Sequence, residues 1–268
     1  QVLFLKAFPS AAKKLPHWYH SHLCKLLGLR MRVEGRIQAS SSLLLVSNHT
    51  SWLDIPLLSA ITPVSFVAKE EVRSWPFIST LAKLQRTIFV NRVLRSSARK
   101  NANEIGARLS EGGAVVLFGE GTSTDGNRVL PFKSSLFAAV LPSKTMDELP
   151  KGVVVQTVSL VYKRLHGIPL GWADRCSLGW YGDMEFMSHA WELLKNGPLD
   201  AIVSIGPPVA LEAFMGRKDL ASHTEKAIQK EVVRLLREYP PDKIFQLSSL
   251  DDRSKKPFLS RATSKKWQ

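Results

Sequence analysis

The feature that most constrains the fold of this chain is an alternation of short apolar runs with helix-like stretches between residues 30 and 118. The apolar runs cover 30–37, 43–47, 64–70, 87–91 and 114–118. Of the three helix-like stretches, the first begins near Asp54 and the other two cover 76–84 and 96–110. Such an alternation predicts an α/β domain with a mixed, mostly parallel sheet flanked by helices. Continuously apolar runs further predict strands that are buried on both faces.

The rest of the chain extends the same pattern. Two more strands are predicted at 152–162 and 200–209, a helix begins near Lys133, and a final amphipathic helix covers 219–239. We find no internal repeat and no clear linker. We therefore expect a single domain over 30–240, preceded by a basic amphipathic helix within 1–29 and followed by a basic polar tail over 241–268.

The charge balance narrows the class of partner. The chain has 37 Lys and Arg against 23 Asp and Glu, for a net charge of +14, which favours association with anionic surfaces. No aromatic-interleaved RNA motif, zinc-finger spacing or recognition helix accompanies this charge, so we expect no nucleic-acid partner. An anionic membrane surface fits better. The Lys-, Trp- and Leu-containing stretch at 10–28 suits either a lipid interface or packing on the protein's own core.

Cysteine and hydropathy patterns limit the chemistry further. The two cysteines, Cys24 and Cys176, are far apart in sequence and predict neither a disulfide framework nor a zinc site. The apolar runs are shorter than the ~20 residues that a spanning helix needs. Because the chain begins with Gln1 rather than Met, an apolar segment preceding it is one way in which the protein could be anchored to a membrane.

The stretch NHTSWLD, residues 48–54, follows the apolar run 43–47 directly. Within one helix, five residues at roughly 100° each would turn Asp54 about 140° away from His49. The two side chains can therefore meet only if His49 lies in a turn and a helix begins near Asp54. Such a pair can act as a general base with an orienting carboxylate. Alternatively, Asp54 is a helix N-cap and His49 an ordinary loop histidine.

A second polar loop, GEGTSTDGN at 119–127, follows the apolar run 114–118. It matches neither the P-loop nor the dinucleotide-binding fingerprint, and a flexible glycine-rich turn is its simplest explanation. Glu120 at the predicted strand end suits the binding of a polar head group. Asp183 and His189 form a competing catalytic pair, but they lack the strand-end context and are better explained as structural.

Three motifs in order resemble those of the glycerolipid acyltransferases of the 1-acylglycerol-3-phosphate acyltransferase type. NH-x-x-x-x-D is met by Asn48, His49 and Asp54; F-[IV]-x-R resembles TIFVNR with Arg92; and F-P-E-G-T-R resembles FGEGTS with Phe118, Glu120, Gly121 and Thr122. The resemblance covers about residues 30–210. It implies a glycerol-3-phosphate acyltransferase-like fold, no metal or redox cofactor, an acyl-carrier-protein or coenzyme A thioester as donor, and a lysolipid acceptor.

The resemblance also implies roles for these residues. His49 would deprotonate the acceptor hydroxyl and Asp54 would orient His49, while Arg92, Glu120, Gly121 and Thr122 would position the acceptor. It further implies a protein at the cytoplasmic face of the inner membrane, bound peripherally or anchored by a segment before Gln1. The alternatives are a non-catalytic basic lipid- or nucleic-acid-binding module and a lipid hydrolase that uses the same histidine.

Departures from the family pattern bear on the acceptor. Gly119 replaces the family's Pro, Ser123 replaces its usual Arg, and Thr157 stands where the fourth motif has Pro. The runs EGTSTDGNRVLPFKSSLF and WYGDMEF resemble the bacterial branch that acylates lyso-ornithine lipid, an amino-acid lipid without phosphate. Lyso-ornithine lipid and lysophosphatidate are therefore both expected candidates for the acceptor.

Overall fold

The computed structural model describes residues 9–39, 42–75, 78–90, 97–137, 141 and 152–238. Within them, one sheet contains nine strands. These are β1 Leu29–Glu34, β2 Leu43–Ser47, β3 Val64–Lys69, β4 Ile88–Val90, β5 Ala114–Phe118, β6 Val154–Leu165, β7 Ile168–Pro169, β8 Leu199–Ile205 and β9 Val209–Ala210. The spatial order is β1-β8-β6-β2-β5-β3-β4, and both β7 and β9 pair with β6.

The sheet is mixed and mostly parallel, as the sequence predicts. The pairs β1/β8, β2/β5, β2/β6, β3/β4 and β3/β5 are parallel, whereas β6 runs antiparallel to β7, β8 and β9. Because β2 and β5 run in the same direction and in register, their carboxyl ends meet at one edge of the sheet, while the neighbouring β6 continues past this edge to Leu165. Ser47 there pairs with both Phe118 and Val158.

The described helices lie on both faces of the sheet. They are α1 Pro9–Leu26, α2 Asp54–Ile61, α3 Ile78–Leu84, α4 Ser97–Ser110, α5 Ser134–Phe137, α6 Trp172–Leu178, α7 Phe186–Lys195 and α8 Arg217–Arg237, with short 3₁₀ turns at Glu70–Ser74 and Leu211–Ala213. All five residues of β2 are buried. Leu44 and Val46 join a core with α4, α5 and α8, while Leu43 and Leu45 join a second core with α1 and α2. This confirms burial on both faces.

The predicted strands and helices are present with small shifts of their ends. The strand predicted at 152–162 continues to Leu165, and the final helix begins at Arg217. Two helices, α6 and α7, and the two-residue strands β7 and β9 were not predicted. The predicted tail over 241–268 lies outside the described residues.

The predicted N-terminal helix is present as α1, and it packs on α2. His17 Nδ1 lies 2.7 Å from the backbone oxygen of Ser59, and His20 Nδ1 lies 2.9 Å from the Ser59 hydroxyl. Exposed Trp18 and Tyr19 lie between these contacts in sequence. Within the described part of the chain, no helix combines the length and the hydropathy needed to cross a bilayer.

Candidate active site

Two loops meet at the sheet edge where β2 and β5 end. We call residues 48–54 the catalytic turn and residues 119–127 the glycine loop. The Gly119 amide donates to the Ser47 carbonyl at 3.1 Å, and the Thr124 amide donates to the His49 carbonyl at 3.0 Å. The Thr124 hydroxyl donates to the same carbonyl at 3.1 Å. The two polar loops singled out in the sequence therefore form one surface.

His49 and Asp54 are in direct contact. His49 Nδ1 lies 2.7 Å from Asp54 Oδ2, and the amides of Thr50 and Ser51 donate to the same oxygen at 2.7 and 3.1 Å. Asp54 is the first residue of α2, and Leu53 occupies the N-cap position. The carboxylate thus accepts from amides that precede the helix, and the alternative of an Asp54 N-cap is not what the structure shows.

Tyr162 provides a fourth donor to Asp54. The Tyr162 hydroxyl on β6 donates to Asp54 Oδ1 at 2.6 Å, and Asp54 is only 1% exposed. Burial, and then the neighbouring Asp54 carboxylate, raise the pKa of Tyr162 well above its usual value, so the phenol keeps the proton that it donates. The sequence analysis missed Tyr162. Its only signal is its place two residues after Leu160 on a strand, which turns it toward the same core as α2.

The contacts of His49 define its tautomer. Because the Asp54 carboxylate acts as an acceptor, Nδ1 carries the proton of the neutral ring, and the lone pair of that tautomer is on Nε2. The ring stacks on Phe118 with centroids 3.9 Å apart and an angle of 15°. No group within the described residues bonds Nε2, and the side chain is 17% exposed. The arrangement can accept a proton from a hydroxyl that approaches from solvent.

Asn48 fixes the start of the catalytic turn. Its amide group donates to the Leu160 carbonyl and its oxygen accepts from the Leu160 amide, both at 2.9 Å. The side chain therefore continues the pairing with β6 beyond the end of β2. This contact holds the backbone that leads into His49.

Glu120 is buried, and both of its oxygens are engaged. Oε1 accepts from the His49 amide at 2.8 Å and Oε2 from the Leu130 amide at 2.9 Å, with 1% of the residue exposed. Burial raises the pKa of Glu120 to about 7, against the lowering effect of these two hydrogen bonds. Its direct contacts hold His49 and the glycine loop together, so any effect on an acceptor would pass through these loops.

Three residues beside Glu120 complete this motif, and of these only Gly119 departs from the family pattern. Gly121 has φ +69°, in the left-handed region that favours glycine, and Thr122 is partly exposed. A Cβ atom on Gly119 would overlap the ring of Phe132, so the packing of this ring accounts for glycine where the family motif has Pro.

Of the two positions expected to bear on the acceptor, Ser123 and Arg92, the structure describes only Ser123. The Ser123 hydroxyl donates to the Trp180 carbonyl, and the Trp180 amide donates to the Thr50 carbonyl at 3.0 Å. Ser123 thereby joins the glycine loop to the run WYGDMEF and, through it, to the catalytic turn. Arg92 lies outside the described residues.

The competing pair of Asp183 and His189 has a structural explanation. His189 Nδ1 lies 3.2 Å from the indole nitrogen of Trp52, which donates to it, and Asp183 is exposed. His189 thus links α7 to the catalytic turn. Among the described residues, no group of three or more His, Cys, Asp or Glu side chains could hold a metal ion.

Comparison with known proteins identifies the family. The acyltransferase family profile matches residues 30–161. A lyso-ornithine lipid O-acyltransferase from Brucella abortus is 44% identical over 229 residues, which is 85% of each chain. The chain belongs to the acyltransferase family.

Two further comparisons agree with this assignment. A lyso-ornithine lipid O-acyltransferase from Rhizobium meliloti is 39% identical over 238 residues, covering 88% of this chain and 81% of the relative. The crystal structure of the 1-acyl-sn-glycerophosphate acyltransferase from Thermotoga maritima aligns with a TM-score of 0.61, 23% identity, and coverage of 85% of this chain and 81% of that one. The latter shows the same fold and confirms the expected fold class. The protein is an acyltransferase enzyme.

Proposed function

We propose that this acyltransferase transfers a fatty acyl group from a thioester donor to a hydroxyl of a lysolipid. The observation that supports this most is the His49–Asp54 pair, in which Nδ1 is bound to a buried carboxylate and Nε2 is bonded by no described residue. Among the described residues, no hydroxyl or thiol of the protein bonds Nε2, which supports a hydroxyl of the substrate as the group that it activates.

The chemistry follows from this geometry. His49 Nε2 takes the proton of the acceptor hydroxyl as the oxygen attacks the thioester carbonyl, and Asp54 stabilises the imidazolium that forms. The tetrahedral intermediate then expels the thiolate, which takes the proton back from His49. Glu120, Gly121 and Thr122 shape the loop beside this site, and Arg92 is proposed to contact the acceptor head group.

We propose lyso-ornithine lipid as the acceptor. Ser123 stands where the family usually has Arg, and its hydroxyl is engaged by the Trp180 carbonyl, so this position offers no cation to an acceptor phosphate. The alignments with the lyso-ornithine lipid O-acyltransferases of Brucella abortus and Rhizobium meliloti each cover more than four fifths of this chain. Lysophosphatidate is the second candidate, because Arg92 could bind a phosphate.

The donor is proposed to be an acyl-carrier-protein or coenzyme A thioester, with no further cofactor. Both donors are anionic and suit a chain of net charge +14. The same charge supports peripheral binding to an anionic membrane surface, for which the cytoplasmic face of the inner membrane is proposed. No nucleic-acid partner is proposed.

The test is acyl transfer by purified protein from an acyl-carrier-protein donor, with lyso-ornithine lipid and lysophosphatidate supplied in parallel. We expect transfer to lyso-ornithine lipid to be faster, and His49→Ala to lower turnover by about a thousandfold or more, because the base is lost. His223→Ala, which changes an exposed histidine of α8, is the matched control and should keep wild-type turnover.

Product analysis by mass spectrometry separates the alternatives. Free fatty acid in place of acylated lipid would indicate a hydrolase that uses the same histidine. No product from either acceptor, or turnover that is indifferent to His49→Ala, would favour a non-catalytic binding module. Faster transfer to lysophosphatidate would contradict the assignment of the acceptor alone.

A further inference from the structure

One helix beside the catalytic turn has an apolar face that no described residue covers. Met187, Trp191 and Leu194 on α7 are 68%, 62% and 49% exposed. Their spacing of four and then three residues places all three within about 60° of one another around the helix. We call these three residues the α7 stripe. Contiguous exposed apolar surface of this kind marks an interaction site.

The face of α7 opposite the stripe packs against the candidate active site. Phe186 packs edge-on against Trp52 and Trp180, with ring centroids 5.5 and 5.7 Å away, and His189 accepts from the Trp52 indole. Trp52 belongs to the catalytic turn. The inner face of α7 is therefore anchored to the site, and the outward α7 stripe is held at a fixed position near it.

An apolar cleft connects these features. A cleft is lined mainly by leucines, and its walls include Trp52 and Leu53 of the catalytic turn and Leu193 and Leu194 of α7. Leu27, which follows the end of α1, lines the same cleft, and the adjacent Leu26 is 83% exposed. The α7 stripe is thus continuous with apolar surface that reaches the catalytic turn.

We propose that the α7 stripe inserts into the lipid leaflet that holds the acceptor. This inference rests on the proposed function, because a lysolipid keeps its acyl chain in the leaflet while its hydroxyl must reach His49. Trp, Met and Leu on one helix face are suited to the interface between head groups and acyl chains. The net charge of +14 attracts the protein to the same anionic surface.

The charges beside the stripe favour lipid over an acidic protein partner. Glu192 and Lys195 lie on the adjacent side of α7 and form an ion pair at 2.6 Å. The helix therefore offers no surplus of positive charge to an acidic carrier protein. A second copy of this chain would bring two identical stripes together, which the oligomeric state would reveal.

The experiment is co-flotation of the full chain with vesicles of phosphatidylethanolamine and phosphatidylglycerol. The test variant is Met187→Glu/Leu194→Glu. Its matched control is Met215→Glu/Val233→Glu, which introduces the same charge at two other exposed apolar positions, of which Val233 is 46% exposed compared with 49% for Leu194. We expect the test variant to partition onto vesicles about tenfold more weakly than the control or worse. Circular dichroism melting verifies that both variants are folded.

Three results would overturn the proposal: no vesicle binding by the wild type, an equal loss in both variants, or a dimer that dissociates in the test variant without any change in vesicle binding. Vesicle binding requires no turnover, so His49→Ala should bind like the wild type. A protein that transfers acyl groups but does not need the α7 stripe for binding would contradict only this inference. Selective loss in the test variant without any acyl transfer by the wild type would contradict only the proposed function.

Discussion

Asp54 organises the site because four donors converge on its two oxygens. His49, Thr50 and Ser51 donate to Oδ2, and Tyr162 donates to Oδ1. A buried carboxylate in such a network keeps one orientation, and hydrogen bonds to a charged group are stronger than those between neutral groups. The network therefore fixes the tautomer of His49 before any substrate arrives.

Tyr162→Phe tests whether the hydroxyl positions Asp54 for the reaction. We expect kcat to fall about tenfold, because Asp54 is held less firmly, with little change in the KM of the acceptor. Steady-state kinetics with varied acceptor concentration separates the change in kcat from any change in KM.

Tyr19→Phe, at an exposed tyrosine of α1, is the matched control for this variant. A Tyr162→Phe enzyme with an unchanged kcat but a lower melting temperature would show that the hydroxyl contributes only to folding. The kinetic readout thus separates a positioning role from a structural one.

The sequence predicts part of this site. The spacing of His49 and Asp54 after an apolar run already requires a turn and a helix start, which the structure confirms. Tyr162 is 108 positions from Asp54, and its contact depends on the register between β2 and β6. The burial of both Glu120 oxygens depends likewise on Leu130, in a loop without periodicity. Contacts set by long-range register have no local sequence signal.

At the scale of elements, α1 is joined to α2, the helix that begins at Asp54, by a polar contact. The Ser59 hydroxyl on α2 accepts from Gln85 Nε2 at 3.1 Å and can donate its own proton to His20 Nδ1, 2.9 Å away. Burial, and then the neighbouring His17, lower the pKa of His20 to about 4. His20 is therefore neutral at physiological pH, in the form that accepts this hydrogen bond.

Between pH 6.5 and 4, the free energy of unfolding should fall less in the His20→Asn variant than in the wild type. A histidine whose pKa is lower in the folded state binds fewer protons there than in the unfolded chain. Its contribution is therefore present above about pH 6.5 and is lost as pH falls towards 4. We expect up to about 3 kcal/mol of pH-dependent unfolding free energy to disappear in the variant. Urea unfolding between these pH values measures the free energy of unfolding. If this free energy changed equally with pH in both proteins, the lowered pKa of His20 would be contradicted.

The elements that were not predicted have a physical reason in common. Helix α7 has a polar side with Ser188, Glu192 and Lys195, but it spans only ten residues, fewer than the roughly 11–18 over which a helical period is read. Helix α6 has only seven residues. The strands and long helices were predictable because each has one clear pattern of burial.

At the scale of the whole molecule, two physical effects act together on membrane binding. The net charge of +14 acts over roughly a Debye length, about 10 Å at 0.1 M salt. The α7 stripe acts only on contact. Charge would therefore bring the protein to an anionic surface, and apolar insertion would hold it there.

Raising the salt concentration should separate these two effects. From about 0.05 to about 0.5 M NaCl, binding to vesicles that contain phosphatidylglycerol should fall towards the level seen with pure phosphatidylcholine, because screening removes the long-range attraction. The binding left at high salt should be the apolar part, which Met187→Glu/Leu194→Glu removes and Met215→Glu/Val233→Glu preserves. Co-flotation across the salt series measures both parts. Binding that does not change with salt would show that the net charge has no role in membrane association, and residual binding that survives in the test variant would place the apolar contact on another surface of the protein.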